Sequence, residues 1–194
     1  MKCRAAVLHT IGAPAPYGDS KPIKIEEIEL DAPGDGEVLV KVAAAGLCHS
    51  DLSVLNGSRP RPVPMVIGHE AAGVVTSVGP GVTNLDVEDH VVFVFVPSCG
   101  DCIPCGEGRP ALCEPGAKAN VAGTLLGGGQ RISLNGKPVT HHVGVSCFAE
   151  YAVVSQCSLV KVSKNLPLDQ AALFGCAVIT GVGAVVNTAE MKMG

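Results

Sequence analysis

Four closely spaced cysteines are the residues of this chain whose spacing points most directly to chemistry. Cys99, Cys102, Cys105 and Cys113 are separated by two, two and seven residues. Glycines and prolines occupy many of the intervening positions, so the segment is predicted to be a loop. Four thiolates around one Zn²⁺ would fill a tetrahedral shell and leave no position for a reactant. We therefore expect a structural zinc lobe over residues 99–113.

An iron–sulfur cluster is the alternative for this loop, because the first three cysteines begin like a bacterial ferredoxin run. In that run the fourth cysteine comes after three residues, and a proline follows it directly. Here the fourth cysteine comes after seven residues, and Pro115 follows Glu114 instead. The spacing favours zinc.

A second metal site could form from three potential ligands outside the loop, namely Cys48, His69 and Cys176. Two thiolates and an imidazole are a ligand set of catalytic zinc, which keeps a fourth position for water or substrate. Each residue also has an ordinary explanation. A buried cysteine behaves as a small apolar side chain, and a buried histidine is usually a hydrogen-bonded core residue. Spacing alone leaves both interpretations open.

Short strands are the predicted elements that must position these residues. Alternating or continuous apolar patterns predict strands at residues 2–9, 23–30, 38–44, 74–78, 91–96, 148–154 and 159–162. The alternation in the second strand changes phase at Glu26-Glu27, which predicts a β-bulge. Asn135-Gly136 predicts a hairpin turn inside an otherwise irregular segment, residues 114–145. Helices are expected late, at residues 168–174 and 178–188, with a break at Gly175-Cys176. This order predicts a mainly β barrel or sandwich with a helical C-terminal extension.

The composition excludes several classes of protein. Of the 194 residues, 47% are hydrophobic and 16% charged, which allows a large core. A net charge of −4 without a cluster of basic residues argues against nucleic acid. Residues 171–189 are uncharged for almost the length of a membrane span, but their glycine, threonine and asparagine content favours a buried helical segment.

The number and spacing of the cysteines predict a cytoplasmic protein. The nine cysteines are odd in number, four have metal-ligand spacing, and the N-terminus lacks a signal-peptide apolar region. Cys3, Cys147 and Cys157 have no assigned partner and are expected to be structural or incidental. His141 and His142 are expected at the surface.

Five motifs carry a resemblance to a known family. They are, in chain order, Gly46–Asp51, Gly68–Gly73, the four-cysteine loop, Phe148–Tyr151 and Gly175-Cys176. Together they resemble the catalytic portion of zinc-dependent alcohol dehydrogenases of the medium-chain type, across essentially the whole chain. The resemblance implies a GroES-like, partly open β-barrel over residues 1–166. Residues 167–194 would be a helical segment leading toward a nucleotide-binding domain.

The resemblance also implies the roles of the metal-site residues. Cys48, His69 and Cys176 would bind the catalytic zinc, so that each chain holds two zinc ions. Glu70 would lie beside that zinc as a transient ligand. Asp51 would accept a hydrogen bond from His69 and fix its orientation.

Substrate and cofactor contacts follow in the same way. Ser50 would bond the substrate oxygen and take its proton, and Phe95 would help to wall the pocket. His49 would approach the cofactor phosphates, and Thr180 would touch the nicotinamide. Many relatives carry a histidine in the proton relay where this chain has Ser53, so the relay would be shorter or run through water.

The implied activity is reversible oxidation of an alcohol to an aldehyde or ketone, with hydride transfer to NAD or NADP. Oxidation of a thiol–formaldehyde adduct is a specific case within the family. The full-length protein would be a homodimer or homotetramer, without a nucleic-acid or membrane partner.

The nucleotide-binding fingerprint is not evident in this sequence. Neither Gly127–Gly129 nor Gly181–Gly183 has the strand–turn–helix context that a dinucleotide fold requires. The chain would therefore be a fragment or a truncated product that is inactive alone, and the apolar residues 178–186 would pack on the missing part. The alternative is a zinc-stapled β-barrel used only for binding.

Overall fold

Short β-strands dominate the computed structural model, which describes residues 1–192. This confirms the mainly β class. The strands are β1 (Lys2–Leu8), β2 (Ile23–Leu30), β3 (Glu37–Gly46), β4 (Met65–Val66), β5 (Glu70–Val78), β6 (His90–Phe93), β7 (Ile132–Leu134), β8 (Lys137–His141), β9 (Tyr151–Ser155) and β10 (Leu159–Val162). The helices are α1 (Tyr17–Ser20), α2 (His49–Leu55), α3 (Ile103–Gly106), α4 (Glu114–Ala122), α5 (Leu168–Ala171) and α6 (Ala177–Gly183). Short 3₁₀ turns cover Pro110–Leu112, Gln156–Ser158 and Ala172–Gly175, and a π-helical turn covers Ala184–Thr188.

Five strands close into a barrel in the order β1-β2-β7-β8-β4. The neighbours are antiparallel except for β4 and β8, whose parallel pairing completes the ring. The predicted Asn135-Gly136 turn joins β7 to β8, and both residues have positive φ, as a two-residue hairpin requires. Inward side chains such as Val7, Ile28 and Val139 form the barrel core.

A second sheet lies beside the barrel, with strands in the order β10-β6-β5-β3-β9. Its central pair, β3 and β5, is antiparallel and contains two register shifts. The core of this sheet includes Val38, Val40 and Phe93. A bridge between Ala5 and Ala149 connects it to the barrel. The three residues predicted to bind a catalytic metal lie close to the ends of β3, β5 and β6, so this sheet positions them.

The bulge predicted in β2 is wrong. Pairing of β1 with β2 runs without interruption from Lys2–Glu29 to Leu8–Ile23. The strand keeps its regular backbone although the apolar alternation changes phase. Glu26 binds His9, and the side chain of Ile25 is 69% exposed. The hydrogen bond between His9 and Glu26 accommodates this polar side chain within a regular strand.

Helix α4 was not predicted, because the segment after the cysteine loop was expected to be irregular. Pro115 and Gly116 discouraged a helix, but Pro115 lies in the first turn, where its missing N–H costs no hydrogen bond. Gly116 lies against the carbonyl oxygen of Pro97, leaving no room for a side chain. Gly123 ends the helix with a left-handed φ of 70°.

The C-terminal helices follow the prediction, including the break at Gly175-Cys176. Within residues 1–192 no single helix is long and apolar enough to cross a membrane; Leu168–Gly175 and Ala177–Thr188 meet the length and composition test only as a pair bent by 51°. On the second half of this pair Ile179, Val182 and Val186 are exposed. The predicted segment 167–194 extends two residues beyond the described part of the chain.

Candidate metal centres

The four loop cysteines converge on one point. Their sulfur atoms all lie within 4.8 Å of one another. Backbone N–H groups stabilise the sulfurs: Cys99 and Gly116 donate to Cys113 Sγ at 3.3 and 3.4 Å, and Cys102 donates to Cys99 Sγ at 3.4 Å. This is the arrangement that a four-thiolate zinc site requires.

Two thiols of the loop have pKa values shifted in opposite directions. A hydrogen bond from the Cys105 backbone lowers the pKa of Cys102 to about 7. Desolvation, reinforced by the neighbouring thiols, raises the pKa of Cys105 to about 12. If all four sulfurs were deprotonated at this spacing they would repel one another, and a divalent metal would neutralise that charge.

The second cluster brings together residues from three distant parts of the chain. Cys48 caps the N-terminus of α2, directly after β3. His69 precedes β5, and Cys176 lies at the break before α6. The two sulfurs are 3.8 Å apart, and one ligand atom from each residue lies within 4.8 Å of the other two. Two thiols and an imidazole are a donor set that fits Zn²⁺ and leaves one position open.

Glycines permit this convergence. A side chain at Gly175 would collide with the carbonyl oxygen of Phe93, so only glycine lets the helix break approach the end of β6. That approach brings Cys176 to the cluster. Similarly, a β-carbon at Gly46 would lie 2.9 Å from the carboxyl carbon of Glu70, so a side chain there would displace the Glu70 carboxylate.

Asp51 holds His69 in a defined orientation. Asp51 Oδ1 lies 2.9 Å from His69 Nδ1, and its Oδ2 accepts a hydrogen bond from the Cys48 backbone at 3.2 Å. Burial disfavours the Asp51 carboxylate, but hydrogen bonds from His142 and His69 outweigh it and lower its pKa. Burial also disfavours protonated His69, yet the Asp51 carboxylate raises its pKa overall. Because Asp51 occupies Nδ1, Nε2 is the nitrogen available to a metal.

Replacing Asp51 with asparagine should weaken metal binding at this cluster. We expect the zinc affinity of the site to fall about 10- to 100-fold, because the carboxylate that orients His69 loses its charge. Competition with a chromophoric chelator measures the affinity. Asp19→Asn, which changes an exposed aspartate in α1, is the matched control. An unchanged affinity in Asp51→Asn would show that Asp51 does not support the metal site.

A small cleft with a volume of about 60 Å³ opens beside the cluster. Ser50, Phe95, His69 and Cys176 are among the residues that line it. Asn120 of α4 donates a hydrogen bond to the Phe95 carbonyl oxygen at 3.1 Å, so the unpredicted helix supports the wall of the cleft. The residues assigned to substrate binding from sequence thus share one cavity with the cluster.

Other predicted site residues lie around the cleft without lining it. Glu70 is buried and accepts a hydrogen bond from the Ala177 backbone at 3.2 Å, but its carboxylate is not among the three converging ligand groups. His49 is exposed, and its Nδ1 lies 3.4 Å from Ser53 Oγ. Thr180 is exposed, one turn after Cys176.

The surface placement predicted for His141 and His142 is wrong. His141 is fully buried, and its Nε2 accepts a hydrogen bond from the Arg131 backbone at 3.1 Å; burial and the Arg131 charge lower its pKa to about 4. His142 is 3% exposed, and its Nδ1 lies 3.3 Å from Asp51 Oδ1. Burial lowers the pKa of His142, although Asp51 partly opposes this. The alternation that starts at Val139 in β8 would have indicated an inward His141.

Comparison with known families identifies relatives over most of the chain. The family described as the alcohol dehydrogenase GroES-like domain matches residues 34–164. An alcohol dehydrogenase class-3 from Drosophila melanogaster is 41% identical over 99% of this chain and 49% of its own length. An S-(hydroxymethyl)glutathione dehydrogenase from Escherichia coli O1:K1 / APEC is 42% identical, over 100% of this chain and 51% of its own length.

Solved structures agree with this result. An alcohol dehydrogenase zinc-binding domain protein from Burkholderia ambifaria superposes with a TM-score of 0.89 at 38% identity, over 100% of this chain and 50% of that one. A benzyl alcohol dehydrogenase from Acinetobacter calcoaceticus gives 0.83 at 35% identity, over 96% and 48% respectively. The chain spans about half the length of the relatives it matches.

Proposed function

Because the chain belongs to the alcohol dehydrogenase GroES-like domain family, we propose that it is the catalytic part of a zinc-dependent alcohol dehydrogenase. The reaction is reversible oxidation of an alcohol to an aldehyde or ketone, with hydride transfer to NAD or NADP. The convergence of Cys48, His69 and Cys176 beside a cleft lined by Ser50 is the observation that carries this proposal. Two thiols and one imidazole offer a metal the three-ligand arrangement of a reactive site.

Each residue of the cluster and the cleft has a proposed role in the reaction. Cys48, His69 and Cys176 would hold a zinc ion, which when bound supplies Lewis-acid chemistry toward a substrate oxygen. Ser50, on the cleft wall, would accept the proton of the substrate hydroxyl. Ser53 Oγ donates a hydrogen bond to the His49 carbonyl oxygen at 3.1 Å and lies 3.4 Å from His49 Nδ1, so a proton leaving Ser50 would reach the His49 ring through water. Phe95 and Val54 would keep water from the reacting atoms.

Metal removal tests the proposal. We expect the protein, produced from the reading frame that contains this chain, to oxidise benzyl alcohol or butanol with NAD or NADP. Dialysis against a zinc chelator should abolish the activity, and added Zn²⁺ should restore it. A protein that holds two zinc ions per chain but oxidises no alcohol or thiol adduct with either cofactor would favour the binding-module alternative.

A thiol–formaldehyde adduct is a second candidate substrate. The Escherichia coli relative is named for S-(hydroxymethyl)glutathione, and it is 42% identical to this chain. The same assay with that adduct distinguishes the two, because the preferred substrate will have the higher kcat/KM.

The proposal extends to the metal content and cellular setting. The loop of Cys99, Cys102, Cys105 and Cys113 would hold a structural zinc, giving two per chain. A homodimer or homotetramer in the cytoplasm is proposed for the full-length protein. No disulfide joins the cysteines of residues 1–192, and their odd number and the metal-ligand spacing of four of them support a reducing compartment.

A further inference from the structure

Two arginines line the cleft beside the metal cluster, and they distinguish its chemistry from that of a purely apolar alcohol pocket. Arg59 and Arg61 share the cavity with Ser50, His69 and Cys176. Among the described residues that line this cavity there is no aspartate or glutamate. Asp51 lies behind the wall, where it already binds His69 and approaches His142. The open space therefore faces positive charge that the cleft itself does not neutralise.

Arg61 has a side-chain hydrogen-bond donor that is not used within the described residues. Its Nη1 donates to the Pro60 carbonyl oxygen at 3.1 Å, but its buried Nε reaches no acceptor in residues 1–192. Neither Arg61 nor Arg59 forms an ion pair within the same part of the chain. The charge of Arg61 also acts on His142, whose pKa it helps to lower after burial. Half-buried Arg61 thus lines the cleft with a buried Nε donor and without a carboxylate partner in the described residues.

The backbone that carries the arginines is firmly attached. Prolines occupy every second position over Pro60–Pro64, which fixes φ at those residues on both sides of Arg61. Thr140 Oγ1 donates to the carbonyl oxygens of Pro62 and Pro64, at 2.7 and 2.9 Å. At the other end the Arg59 N–H donates to the Ser53 carbonyl oxygen at 2.8 Å. A guanidinium on such a segment needs little further ordering to bind a ligand.

We propose that Arg61, assisted by the more exposed Arg59, binds a carboxylate on the substrate, so that the preferred alcohols and aldehydes carry a carboxylate remote from the reacting carbon. This inference rests on the proposed function. The planar guanidinium fork matches a carboxylate with two parallel hydrogen bonds. A substrate held at one end by Arg61 and at the other by the metal cluster is oriented for reaction.

Matched substrates test the proposal. We compare ω-hydroxy acids of four to eight carbons with α,ω-diols of equal length, using the metal-loaded protein and its nicotinamide cofactor. We expect kcat/KM to favour the best hydroxy acid about 10- to 100-fold, mainly through KM, because a charged hydrogen bond is gained only with the acid. Arg61→Met should remove the preference, Arg61→Lys should keep part of it, and Arg59→Met should have the smaller effect. Lys137→Met, which removes an equal charge from an exposed hairpin position, is the control and should leave the preference unchanged.

The outcomes separate this proposal from the proposed function. Equal rates with acids and diols, or a preference that survives Arg61→Met, would overturn the carboxylate assignment while the dehydrogenase activity stands. A rise in KM for the dinucleotide with every alcohol would instead assign Arg61 to the cofactor. If no alcohol is oxidised, the proposed function fails, and calorimetric titration of the zinc-loaded chain decides the carboxylate site alone. Binding of the hydroxy acid but not the diol, lost in Arg61→Met, would support the site, and equal binding of both would overturn it.

Discussion

Replacing Cys48 with alanine is expected to leave a folded protein that holds one zinc ion instead of two and no longer oxidises alcohols. Cys48 supplies one of only three converging ligands, so its loss leaves two and opens the site. The metal contributes several kcal/mol to transition-state stabilisation in enzymes of this kind, and we expect kcat/KM to fall roughly a thousand-fold or more. Metal analysis by atomic emission and a steady-state assay measure the two effects.

The fold should survive this change. Cys48 is only half-buried, and its structural contacts are the cap hydrogen bonds of α2, including the one from the Ser50 N–H at 3.5 Å. Loss of a helix cap costs about 1 kcal/mol. Cys157→Ala is the control, because Cys157 is an exposed cysteine that belongs to neither cluster. If Cys48→Ala retained two zinc ions and full activity, Cys48 would not be a ligand of the reactive site.

Local signals in the sequence predicted the fold well wherever turn chemistry or alternation decides the structure. Strands β1 and β2 of the barrel, the Asn135-Gly136 turn and the break at Gly175 follow from such signals, whereas β4, β7 and β8 lie outside the predicted strands. The prediction failed where a distant partner decides. Glu26 pairs with His9 in an uninterrupted β2, and nothing in the local sequence of either residue predicts that contact.

The candidate site was likewise predictable from local sequence only in part. The four-cysteine loop was predictable because all its ligands lie within one short segment. Spacing alone could not predict that Cys48 and Cys176 are neighbours, because they are 128 residues apart in the chain and come together only in the folded structure. The resemblance to a family supplied that prediction. Neither spacing nor resemblance indicated that His142 lies beside Asp51, because burial of a histidine depends on the packing around it.

Replacing Cys113 with alanine is expected to cause the largest loss of stability among single changes in the four-cysteine loop. Cys113 is fully buried and caps α4, and its sulfur accepts hydrogen bonds from the Cys99 and Gly116 backbones. Its removal should release the structural zinc and lower the free energy of unfolding by about 3–5 kcal/mol, because loss of a metal is among the most damaging mechanisms. For a chain of this size that corresponds to a fall in Tm of about 10 °C.

Cys3→Ala is the matched control for this loss of stability. Cys3 is buried in the barrel core and lies outside both clusters, so the change removes the same buried thiol without removing a metal ligand. Differential scanning calorimetry and zinc analysis on both variants separate the two contributions. Equal falls in Tm, with the zinc content unchanged in Cys113→Ala, would reduce Cys113 to an ordinary core residue.

The effect of Cys113→Ala should extend from the loop to the cleft. Helix α4 begins directly after Cys113, and its Asn120 holds the Phe95 carbonyl oxygen at the cleft wall. The end of the helix is attached to β8, because the Gly123 carbonyl accepts a hydrogen bond from the His141 N–H at 2.9 Å. Loosening the start of α4 therefore loosens one wall of the substrate cavity, although Cys48, His69 and Cys176 keep their own attachments. We expect KM for the alcohol to rise in Cys113→Ala while the metal at the reactive cluster remains, which links the structural zinc to substrate binding through one helix.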